Sequence, residues 1–147
     1  MKFLTLIVLA YCSGCSYNSV QTPLNIEVSP CFGTCLSYHL EVLPNSTYVL
    51  SDFHKTRLSK GKLNNKQRKS LKSILTQIAL KNEQKTFGNP QIRDLSKIKI
   101  SFNSTVVDIN GRSFVPQSYK PLLKWADEFY TTNTSHVPQR VPVKNQK

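Results

Sequence analysis

The sequence predicts an α+β domain: an antiparallel β-sheet, in the order β-β-β-α-β-β-α, covered on one face by two helices. Three observations carry this. Strand-like alternation of apolar and polar residues occurs in two groups, residues 26–53 and 97–109, and each group is followed by an apolar stripe of helical period. The connections inside each group are short and polar, Pro44-Asn45-Ser46 in the first and Asn103-Ser104 in the second. Hairpins followed by helices, rather than single strands alternating with single helices, favour antiparallel pairing with the helices gathered on one side.

Taken in order, Ile26 and Val28 alternate with polar neighbours and give a short strand that ends at Pro30. Tyr38, Leu40 and Val42 alternate with His39 and Glu41, and residues 47–53 return as the second arm of a hairpin. Residues 58–63 form a weaker strand candidate, interrupted by Gly61. Over residues 66–82 the period changes: Leu71, Ile74, Leu75 and Ile78 fall on one helical face, with Asn64 or Asn65 available as N-cap. Ile98, Ile100 and Phe102 alternate with Lys97, Lys99 and Ser101, and the chain turns at Asn103-Ser104 into residues 105–109. Phe114-Val115 would add an edge segment stopped by Pro116. Tyr119, Leu122, Leu123, Ala126 and Phe129 mark a last helix, with Pro121 in its first turn and Trp125 near its apolar edge. Residues 131–147 have no period and are expected to be a disordered basic tail.

The N-terminus reads as an export signal. Lys2 precedes an apolar run at residues 3–10, too short to span a bilayer, and Ser13-Gly14-Cys15 follows. The expected organisation is a lipoprotein-type signal at 1–15, a tether at 16–25, the α+β domain at 26–130 and the tail at 131–147. Two cleavage readings stand. In the first, cleavage before Cys15 leaves a thiol that takes a lipid anchor, although Cys12 stands where an aliphatic residue is usual. In the second, an ordinary secretory signal leaves a soluble protein, whose Asn-x-Ser/Thr sites at Asn45, Asn103 and Asn133 could accept glycans.

The 147-residue chain carries a net charge of +12, which falls to +11 when Lys2 leaves with the signal. In a cytosolic protein such a balance suggests nucleic acid. An exported chain instead meets lipopolysaccharide, anionic phospholipid and acidic wall polymers, so nucleic acid is not expected as a partner. The charge concentrates at Lys60, Lys62, Lys66, Arg68, Lys69 and Lys72, six cations within thirteen residues. Lys66, Arg68, Lys69 and Lys72 lie on the polar face of the first helix, where positive charge opposes the helix dipole. These four are the candidate anion-binding residues, against the plainer alternative of a solvated face.

Cys31 and Cys35 enclose Gly33, and an exported chain makes them a disulfide candidate. Bridging requires Cα atoms within about 7 Å, which a turn at Gly33 can provide through a positive φ. A thioredoxin-like redox motif would need a C-x-x-C spacing at a helix start. A copper-handling pair completed by His39 or His54 remains as an alternative.

The segment Ser29-Pro30-Cys31-Phe32-Gly33-Thr34-Cys35, with Tyr38 three residues on, resembles a family of small bacterial envelope domains, the domain-of-unknown-function family 6438. Its mark is Cys-Phe-Gly-x-Cys-Pro-x-Tyr. The likeness covers about residues 26–130, matches at Cys31, Phe32, Gly33, Cys35 and Tyr38, and departs at Leu36, where the family has proline. The resemblance implies an envelope location and this fold, and no reaction.

Hydrolase motifs are absent: the chain has no Gly-x-Ser-x-Gly, no His-Glu-x-x-His and no glycine-rich phosphate loop. His39 and Glu41 share a strand face and could form a polar pair. The protein is therefore expected to be a monomeric, lipid-anchored envelope protein, periplasmic or surface facing, and not an enzyme. Its role would be binding or structural, towards an anionic envelope component or a protein partner, with no cofactor and no bound metal. A hydrolase hidden by an unfamiliar arrangement of residues is the third class considered.

Overall fold

Leu24, Ile26 and Val28 are fully buried, and the strand that carries them is paired on both sides. In the computed structural model, which describes residues 22–79 and 85–135, this strand, β1 (Leu24–Val28), lies at the middle of a seven-stranded sheet. The other strands are β2 (Tyr38–Val42), β3 (Thr47–Ser51), β4 (Arg57–Lys62), β5 (Thr86–Gly88), β6 (Lys97–Phe102) and β7 (Thr105–Asn110). Their spatial order is β4-β3-β2-β1-β6-β7-β5, antiparallel throughout except for β5, which runs parallel to β7. Helices α1 (Asn65–Ala79) and α2 (Lys120–Thr134) and a short 3₁₀ turn at Arg112–Phe114 complete the α+β architecture.

The register places one apolar row across the sheet. Ile26 stands between Leu40 and Ile100, Leu40 faces Leu50, and Ile100 faces Val107. Val28, Tyr38 and Ile98 form a second such line. These residues share one buried cluster with Leu71, Leu75 and Ile78 of α1 and Leu122, Leu123, Ala126 and Phe129 of α2. The alternate residues Glu27, Lys97, Lys99 and Asp108 are exposed, as the two-residue period of a strand requires. The apolar stripe of α1 is the one read from its periodicity, with Ile74 partly buried at its margin.

Strand directions give the sheet two distinct ends. The chain enters β1 at a lower end, which also holds the β2–β3 turn, the β6–β7 turn and the passage from β4 into α1. There Thr22 Oγ1 donates to Asn103 Oδ1 at 2.6 Å, and Leu63 N donates to Ser46 O at 2.9 Å. The upper end holds the β1–β2 loop, the β3–β4 loop and the segment that leads into β6.

Several boundaries differ from those read in the sequence. Leu24 and Asn25, assigned to the tether, belong to β1, because Leu24 pairs with Val42 and is fully buried. The return strand stops at Ser51 rather than residue 53: Asp52 accepts from Thr56 N at 2.7 Å, and Lys55 takes a positive φ, which closes a turn. The weak candidate around Gly61 is β4, and Gly61 leaves room for the Tyr48 ring, which a Cβ there would approach to 3.1 Å. Phe114-Val115 forms no edge strand. Phe114 N and Val115 N bond back to Gly111 and Arg112 in the 3₁₀ turn, and the short parallel β5 takes the edge beside β7.

Residues 131–134, assigned to the tail, continue α2. Thr131, Thr132, Asn133 and Thr134 each return a side-chain hydrogen bond to the carbonyl four residues earlier, at 2.8 Å. The signal segment with Cys15, the tether up to residue 21, residues 80–82 of the expected first helix and residues 136–147 of the tail lie outside the described residues.

If the row through Ile26 carries the sheet, Ile26→Ala should cost about 2–5 kcal/mol, the usual range for truncating a buried aliphatic residue. Val106→Ala, on the exposed row of β7, should stay within ~0.5 kcal/mol. Urea unfolding midpoints of the two variants measure the difference.

Candidate functional site

The basic face of α1 begins at an N-terminus built by a reciprocal cap. Gln67 N donates to Asn64 Oδ1 and Asn64 N donates to Gln67 Oε1, both at 2.9 Å, so two otherwise unpartnered backbone donors are satisfied. Asn64 is therefore the N-cap. No acidic residue occupies the first turn, and Lys66, Arg68, Lys69 and Lys72 are all exposed. Arg68 reaches Asn65 Oδ1 at 3.0 Å. Among the described residues the carboxylate contacts join Arg112 to Asp127, Lys124 to Glu128 and the His39 ring to Glu27, so none of the four α1 cations has a carboxylate partner there.

The six cations clustered in the sequence are divided between a strand and a helix. Lys60 pairs across from Val49 and Lys62 from Thr47, on the sheet row opposite the one that Leu50 and Tyr48 bury. The other four stand on α1. Both groups flank the passage from β4 into the helix.

At the upper end Cys31 and Cys35 are joined, with Cα atoms 5.7 Å apart. Gly33 between them takes φ +141°, and a Cβ there would touch nothing closer than 4.0 Å, so its role is conformational rather than steric. Phe32 N donates to Asp94 O at 3.4 Å, which ties the loop to the segment before β6. The Phe32 side chain is 93% exposed. In the disulfide form neither sulfur is a thiolate ligand, and among the described residues no group of three or more His, Cys, Asp or Glu is placed to hold a metal. His39 approaches Glu27 across the β1–β2 pair at 3.9 Å rather than Glu41 along its own strand. His54 packs edge-on against Phe53.

Sequence reading missed a polar lock beside this loop. Tyr38, the last residue of the cysteine motif, donates to Asp127 Oδ1 at 2.8 Å, and Arg112 grips the same carboxylate with two bonds of 2.6 and 3.0 Å. The Tyr38 ring is buried and stacks on Tyr130, with centroids 4.9 Å apart. Burial, and then the Asp127 carboxylate, push the Tyr38 phenol far above the ordinary tyrosine range. Hydrogen bonding to Asp127 likewise raises the Arg112 guanidinium. The three residues come from β2, the 3₁₀ turn and α2, and only their types, not their spacing, hint at the contact. Through these bonds Asp127 fastens α2 to β2 and to the 3₁₀ turn.

The outward row of the sheet carries a line of polar residues, Asp108, Lys99, Glu27 and His39, each opposite the next across neighbouring strands. Above it lies an open concavity of about 430 Å³, bordered by Phe53, Ser29, Pro90 and Lys97.

These features define a small α+β domain with one disulfide-clamped loop at the exit of its central strand. The chain belongs to the family described as domain of unknown function DUF6438, which matches residues 22–130. No curated protein and no solved structure matches it.

The fold favours the neutral Tyr38 phenol, whereas in the unfolded chain tyrosine ionises near pH ~10. Stability from this group is therefore complete below that pH and declines above it, because only the unfolded chain gains by losing the proton. Ultraviolet titration of the tyrosines should show one that ionises only on unfolding, and Tyr38→Phe should remove it. For the bridge, the closed loop is short, so reduction should cost toward the lower part of the usual ~2–4 kcal/mol. Native protein alkylated without reductant should keep Cys31 and Cys35 unlabelled, and labelling of both would disprove the bridge in solution.

Proposed function

We propose that the protein is a lipid-anchored bacterial envelope protein with a non-enzymatic binding role, and that α1 holds its lower end against a phosphate-bearing anionic surface. One observation carries this reading: four exposed cations of one helix face have no carboxylate partner among the described residues, at the end of the sheet where the chain arrives from Cys15. Holding positive charge in the first turns of a helix opposes its dipole, so helix stability does not account for it. The opposite face of α1 is committed to the core through Leu71, Leu75 and Ile78, which directs the cations to water.

Contact of this kind is electrostatic and screened over roughly 8 Å at physiological ionic strength. Phosphatidylglycerol vesicles and lipopolysaccharide both present phosphate, and phosphatidylcholine vesicles provide the neutral comparison. The full-length protein should bind the first two, weaken steeply with added salt, and ignore the third. Arg68→Gln, Lys69→Gln and Lys72→Gln combined should lower affinity without lowering the melting temperature, because exposed charges contribute little to stability. Equal binding by the triple variant, or no binding at low salt, leaves the face merely solvated. Acylation is tested apart from this: intact mass should show lipid on Cys15, and a Cys15→Ser form that fractionates as the parent does argues against the anchor.

A further inference from the structure

The large apolar side chains that remain exposed are not scattered. Among the described residues they are Phe32, Leu36, Phe53, Ile92, Phe114 and Val106, and all but Val106 stand in the loops and turns of the upper end. Phe32 and Leu36 belong to the β1–β2 loop, Phe53 to the β3–β4 loop, Ile92 to the segment between β5 and β6, and Phe114 to the 3₁₀ turn after β7. The loops are neighbours: Phe53, Ser29 and Pro90 border one concavity, and Phe32 is bonded to the backbone of Asp94.

We propose that this upper end is a protein-docking surface centred on Phe32, and that its partner offers an apolar recess bordered by Asp or Glu. Phe32 is 93% exposed, yet it is no loose side chain on a mobile loop. The Cys31–Cys35 bridge closes its loop and a hydrogen bond to Asp94 fixes it from the other side. An aromatic ring presented on a constrained backbone loses little freedom when it enters a pocket, which is the character of an interface anchor. Lys55, Arg57, Arg93 and Lys97 are exposed around this end. They outnumber Asp52, whose carboxylate is engaged by Thr56 in its own turn, and Asp94, while Glu27 and Asp108 in the concavity each stand opposite Lys99. A partner surface is thus selected for acidic residues around its recess.

The geometry points to a protein rather than a membrane, and this step rests on the anchoring reading above. The seven residues from Cys15 to Thr22 reach at most about 25 Å when fully extended, and they join the domain at its lower end. A six-residue strand is already about 20 Å long, so bringing the upper loops to the same membrane would require the tether to run taut alongside the whole sheet. Anchored at its lower end, the domain presents Phe32 away from the lipid.

The test uses full-length protein in its own cells, with benzoylphenylalanine at position 32 and, for comparison, at position 69. Light should join position 32 to one protein, identifiable by mass spectrometry. That protein, prepared pure, should bind the full-length chain at least tenfold more weakly when Phe32→Ser is introduced, and more weakly as salt rises. Phe32→Ser should leave the melting temperature and the binding to phosphatidylglycerol vesicles unchanged. Cross-linking to lipid, to a second copy of the same chain or to nothing overturns the proposal. So does a partner that binds Phe32→Ser as tightly as the parent, or vesicle binding that falls with Phe32→Ser. A Cys15→Ser form run in parallel separates the two ideas: a soluble protein that keeps the position-32 adduct retains the interface, while a parent that carries no lipid fails only the anchor.

Discussion

Everything in this fold passes through β1. It is five residues long, it comes first in the domain, and it occupies the centre of the sheet. The meander of β2, β3 and β4 and the hairpin of β6 and β7 are each local in sequence, and β1 is the strand that hydrogen-bonds both. Its three inward side chains are fully buried. Pairing β1 with β6 joins residues about seventy positions apart, so the chain must close a long loop before that pairing contributes. The two halves of the sheet therefore have no continuous backbone ladder without this strand.

The position of β1 also explains why chemistry gathers where its neighbours leave it. The disulfide loop begins three residues after its end, and the Tyr38 lock begins three residues after the bridge, so the exit of the central strand is held by a covalent link, a stacked ring and a charged hydrogen bond in close succession. Among the described residues the lower end has no comparable clamp and is organised by turns: Asn103 and Ser104 both take positive φ, which suits a tight hairpin, and Asn45 accepts from Thr47 N. Constraint and exposed apolar surface thus lie at one end, and positive charge concentrates toward the other.

Much of this was legible in the sequence, and the reasons separate cleanly. Periodicity identified the inward face of α1 and the alternation in β2 and β6, because each burial pattern repeats within one short segment. Gly33 and the paired cysteines announced their turn for the same reason. The short β5 escaped notice: three residues, Thr86-Phe87-Gly88, are too few to show alternation, and parallel pairing leaves no hairpin turn behind it. Phe114-Val115 looked strand-like, but Gly111 at φ +102° bends the chain into a 3₁₀ turn first. The Tyr38–Arg112–Asp127 lock joins positions separated by 15 and 89 residues, and no local pattern encodes such a meeting.

The β4 edge has one further consequence. Among the described residues its outer ladder groups have no strand beside them, an arrangement that in many sheets recruits a second molecule. Here Arg57, Lys60 and Lys62 line a strand that is also interrupted by Gly61. Two copies approaching edge to edge would bring like charges together before a hydrogen bond could form. On this edge the charge of β4 opposes pairing with a second β4 of the same kind.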